Sequence, residues 1–112
     1  MNVTSLTTAE PFTTKDGSTI RELHHTELQS LAEATLEAGR STQRHYHRDT
    51  EEIYFVLEGA GDLEVDGTAQ RVGAGDAALI PPGAWHEIRA STPLRFLCSC
   101  APPYLHDDTF FE

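Results

Sequence analysis

Beyond Gly39 the chain is written in short runs in which polar and apolar residues alternate, each closed by glycine, proline or an Asp-Gly pair. Alternation with period two places successive side chains on opposite faces of a strand. The runs are "TQRHYH", "EIYFVLE", "GDLEVDGTAQRV", "DAALIP", "HEIRA" and "LRFLCSC". The third is a hairpin, because Asp66-Gly67 is a two-residue turn signal between alternating stretches. An earlier short strand, "STIREL" (Ser18–Leu23), follows a turn at Asp16-Gly17. The segment "HTELQSLAEATLEAG" is readable two ways. Its Leu, Ala and Glu content favours a helix. Its alternation puts Ala32, Ala34 and Leu36 on one face of a strand, and Glu33, Thr35 and Glu37 on the other. Many short strands with Gly and Pro punctuation predict an all-β sandwich or small barrel.

With 112 residues the chain is expected to form a single domain spanning 1–112. Residues 1–15 read as a polar, Thr-rich, extended leader. Residues 101–112 read as a tail whose Tyr104, Phe110 and Phe111 dock back on the body, since proline stops a central strand there. No apolar run reaches the ~20 residues of a membrane span. The first residues lack the basic start and apolar centre of a secretory signal, so the expected compartment is the cytoplasm. A net charge of −10 with a single lysine argues against nucleic-acid binding.

The chemistry gathers at "GRSTQRHYHRDTEEIYFVLEG". His45 and His47 share one face of a strand by parity, and Glu51-Glu52 opens the next strand at the same level. Downstream, "PPGAWHE" sets His86 at the start of another strand behind a stiff turn. Three imidazoles and one carboxylate suit a divalent transition metal (Fe, Mn, Ni, Cu or Zn) rather than Ca or Mg. The residues alone leave open which glutamate belongs to the set. Cys98 and Cys100, spaced C-x-C on one face, are ill placed for an unstrained disulfide and read as reduced core residues.

These spacings resemble the cupin superfamily, in its small single-domain form. The family's first motif is a glycine, five residues, His-x-His, three or four residues, Glu, six residues and a glycine. Here Gly39, His45-Tyr46-His47, Glu52 and Gly59 match it. Its second motif is a glycine, five residues, Pro-x-Gly, two residues, His, three residues and Asn. Gly75, Pro81-Pro82-Gly83 and His86 match, and Ala90 stands where the family has Asn. That Asn is not a metal ligand in the family.

The resemblance implies a double-stranded β-helix, or jelly-roll barrel, with a metal inside one end on His45, His47, Glu52 and His86. It also implies that Ser30–Glu37 is a strand, against its local propensity. With Glu52 as ligand, parity puts Tyr54 in the pocket and Glu51 outside. The same alternation assigns Gln43, Ile88, Phe96 and Cys98 to the pocket lining. The opposite face of that strand, Ile53, Phe55 and Leu57, is too apolar for solvent. A cover is expected there, from the N-terminal segment or from a second copy; similar proteins dimerise through sheet faces, which predicts a homodimer. The expected function is action on a small organic molecule, most simply as a metal-dependent dioxygenase. The alternatives are a redox-neutral isomerase, cyclase or lyase, and a non-catalytic small-ligand sensor; fold does not choose among them.

Overall fold

A computed structural model describes residues 1–112. The chain forms eleven strands and one short 3₁₀ turn, His106–Asp108. The first six strands are β1 (Phe12–Thr13), β2 (Thr19–His25), β3 (Ser30–Leu36), β4 (His45–His47), β5 (Glu51–Glu58) and β6 (Ala60–Val65). The other five are β7 (Thr68–Gly73), β8 (Ala77–Ile80), β9 (His86–Ala90), β10 (Leu94–Ala101) and β11 (Thr109–Phe111). Two antiparallel sheets face each other, in the orders β1-β2-β3-β10-β5-β8 and β11-β4-β9-β6-β7. No helix is long and apolar enough to cross a membrane.

The stretch with two readings is strand β3, a case of tertiary context overriding helix propensity. It pairs along its whole length with β10 and also with β2, so its backbone groups are satisfied on both sides. Glu33, on its outer face, is nonetheless buried, with Arg95 Nε donating to it at 2.9 Å. The Asp66-Gly67 pair makes the β6–β7 turn with φ of 48° and 88°, the two positive values that a tight hairpin of this kind requires.

Register turns the sequence into layers. Leu36 lies opposite Leu94, and Phe96 lies between Ala34 and Val56. Cys98 lies between Ala32 and Tyr54, and Cys100 between Ser30 and Glu52. Each of these strands therefore runs from polar residues at one end of the barrel to apolar ones at the other. The apolar end is a dry core that includes Leu36, Val56, Leu63, Ile88 and Leu94. Burying each such side chain contributes about 1.5–3 kcal/mol, which anchors the strands whose other ends carry the site.

Gly59 joins β5 to β6 at φ 87°, and a Cβ there would strike the carbonyl oxygen of Pro93. The strand that carries Glu52 can turn back only because this residue has no side chain. Gly59→Ala is expected to cost about 3 kcal/mol, combining left-handed strain with a backbone clash. A urea titration reads it as a lower midpoint at unchanged slope.

Candidate metal centre

His45 and His86 face each other directly across the β4–β9 pair, and His47 follows on the same face of β4. All three are buried, with ring centroids 4.3 to 5.5 Å apart. One ring nitrogen from each lies within 4.8 Å of the other two. Glu52, from the opposing sheet, brings Oε1 to 3.5 Å from His47 Nε2 and 3.3 Å from His86 Nε2. Ligand atoms bonded to a metal at about 2.1 Å stand about 3.0 to 3.4 Å apart in octahedral and tetrahedral shells. The spacing around Glu52 is of that size.

The outer ring nitrogens fix which atoms point inward. His45 Nδ1 donates to the Gln43 carbonyl oxygen at 2.7 Å, and His86 Nδ1 to that of Ala84 at 2.9 Å. A carbonyl only accepts, so Nδ1 holds the proton and the neutral ring keeps its lone pair on Nε2. His47 Nδ1 meets Thr109 Oγ1 at 3.1 Å, and that hydroxyl donates to the Leu105 carbonyl at 2.9 Å. Its proton is thereby committed, and it accepts from His47. Thr109 sits on β11, which pairs with β4, so the C-terminal tail helps to orient a histidine of the centre. Outer partners of this kind set ligand orientation and basicity. Thr109→Val is expected to weaken metal affinity about tenfold or more, while Thr109→Ser retains it, as read by competition with a chelator.

Glu52 Oε1 and His86 Nε2 are buried and have no hydrogen-bond partner. Such atoms are costly unless something else satisfies them, and a cation between them would do so. Burial pushes the Glu52 carboxyl up, but His47 and His86 outweigh it and hold the group well below the carboxylate range. Burial and the charge of His86 lower His45. Burial opposes protonation of His86, yet Glu52 prevails and raises it. The centre thus keeps an ionised carboxylate and a neutral His45, both in ligating form. Cys100 Sγ donates to Glu52 Oε2 at 3.3 Å, leaving Oε1 to face the imidazoles. Burial and then the Glu52 charge raise both Cys98 and Cys100, so they stay protonated thiols.

A cavity of about 50 Å³ adjoins His45, His47 and Glu52. Tyr54, Phe96 and Cys98 line it. Gln43 and Ile88 do not, contrary to parity. The strand begins only at His45, and in the irregular stretch before it Thr42 turns inward while Gln43 is exposed. Thr42 Oγ1 accepts from the backbone N–H of Ile88, and Ile88 itself packs in the dry core. Glu51 lies on the exposed side of β5. Sequence reasoning missed Asp16, Ser18 and Ile20, which line the cavity from β2 and the turn before it, and Tyr104, which lines it from the tail. Asp16-Gly17 carried only a turn signal, and nothing local in the tail says which strand it joins.

The family model described as "Cupin domain" matches residues 32–100, more than half of the chain. The chain belongs to the cupin family. It is 45% identical over 107 residues to uncharacterized protein MJ1618 of Methanocaldococcus jannaschii, covering 89% of this chain and 86% of that one. An oxalate-binding protein of Thermotoga maritima is 32% identical over 79 residues, covering 69% and 65%. A 5-aminosalicylate 1,2-dioxygenase of Comamonas sp is 50% identical over 42 residues, which are 37% of this chain and 11% of that enzyme. Among solved structures, KdgF from Halomonas sp. superimposes with a TM-score of 0.86 at 20% identity, covering 96% and 97%, which is a likeness of fold. This cupin's histidine cluster could hold a metal ion.

Proposed function

We propose that this cupin is a metal-dependent enzyme acting on a small organic molecule, a dioxygenase in its simplest form. One divalent transition metal per chain would be held by the Nε2 atoms of His45, His47 and His86 and by the Glu52 carboxylate. The observation that carries the reading is the inward aim of three tautomer-fixed imidazoles around a buried carboxylate whose Oε1 has no partner. Four protein ligands leave one or two coordination positions open, which on Fe, Mn, Ni or Cu supplies redox chemistry toward O₂. Tyr54 and Phe96, their rings tilted against each other with centroids 4.7 Å apart, wall the cavity with apolar surface and limit water beside the reacting centre. The sequence shared with the aminosalicylate dioxygenase supports the choice of reaction class.

The test is O₂ uptake by Fe(II)-loaded protein across a panel of small molecules. Substrate-dependent uptake supports the reading. Turnover that persists under argon, or with Zn(II), contradicts it and supports a redox-neutral isomerase, cyclase or lyase.

The outer face of the larger sheet supports a homodimer. Ile53, Phe55 and Leu79 are 41%, 40% and 59% exposed, so the N-terminal segment leaves them open. Ile53 pairs with Leu79, and Phe55 with Leu97, which makes one continuous apolar surface. Sedimentation at micromolar concentration is expected to show a dimer, and Phe55→Glu a monomer; wild-type protein sedimenting only as monomer contradicts this.

A further inference from the structure

Charge along the cavity says what kind of molecule it accepts. Two carboxylates besides Glu52 line it, Asp16 and Glu22, and no lysine or arginine does. Lys15, next to Asp16 in the chain, is exposed and lies outside the lining. Asp16 is built in place. Its Oδ1 accepts from Thr14 Oγ1 at 2.5 Å, Ser18 Oγ at 2.7 Å and the Ser18 N–H at 2.8 Å. Its Oδ2 receives no donor from the protein. Glu22, at the rim, meets only His25, Nδ1 to Oε2 at 3.2 Å. The cavity's charged walls therefore offer unspent acceptors apart from Glu52, which faces the histidines.

We propose that the cavity takes a small molecule that brings hydrogen-bond donors, hydroxyl or ammonium, and carries no carboxylate. The proposal rests on the reading of this cavity as the substrate site, and it deepens that reading. Away from the metal position, a carboxylate would meet Asp16 and Glu22 with no lysine or arginine in the lining, whereas a hydroxyl or ammonium would satisfy Asp16 Oδ2. The volume, about 50 Å³, restricts the ligand to a small molecule.

Three probes of matched skeleton test it: 3-amino-1,2-propanediol, glycerol and glycerate, titrated by ligand-observed NMR against zinc-loaded and metal-free protein. In the metal-free protein the expected order is aminopropanediol, then glycerol, then glycerate, with about tenfold between the first and last from the coulombic difference. In Asp16→Asn, which keeps the Oδ1 acceptor for Ser18, the ratio is expected to fall about threefold, and in Asp16→Glu to hold. Glycerate binding more tightly than glycerol to the metal-free protein overturns the proposal. So does a ratio unmoved in folded Asp16→Asn protein, or no binding of any probe at millimolar concentration. Failure of the metal reading is distinct: no zinc is taken up, while the same order persists in the metal-free protein.

Discussion

Protein carrying His47→Ala together with His86→Ala, expressed without a His-tag, is expected to purify with less than about 0.1 metal ion per chain, against about one in the wild type. The two changes remove imidazoles from different strands, β4 and β9, whose Nε2 atoms both lie within 3.5 Å of Glu52 Oε1. What remains, His45 and Glu52, is a pair of ligands rather than a cage. The variant should still fold, because the dry core lies at the other end of the barrel. Elemental analysis alongside circular dichroism checks both parts. Metal content unchanged in a folded double variant would place the metal elsewhere.

The second large effect separates two adjacent glutamates. Glu52→Ala is expected to weaken metal retention by at least about 100-fold, while Glu51→Ala leaves it within about twofold. Glu52 is buried against His47 and His86, whereas Glu51 is exposed on the other side of the strand. The difference is one step of a period-two pleat. Chelator competition measures both, and the reverse order would mean that β5 is set one residue out of register.

Much of the centre was legible because strand parity is a strict rule where a strand is regular. His45 and His47 lie on one face of β4, and Glu52, Tyr54 and Val56 lie on one face of β5. The rule failed at Gln43 because the chain there is not strand. Its N–H goes to Asp16 and the Thr42 N–H to Ile88, so the pleat that parity assumes is absent. Strand β3 was legible only through the resemblance, since its residues favour a helix and only its neighbours β2 and β10 make it a strand. Thr109 and Asp16 were illegible for another reason. Each acts on the centre or cavity through a contact far away in the chain, and one sequence holds no record of such pairings.

One structure decides the central claim. Crystals of metal-loaded protein, with anomalous data collected at the absorption edge of the bound metal, are predicted to show a single peak per chain. It should lie at about 2.1 Å from Nε2 of His45, His47 and His86 and from a Glu52 oxygen. A peak bound through any Nδ1, or one outside this cluster, would contradict the account.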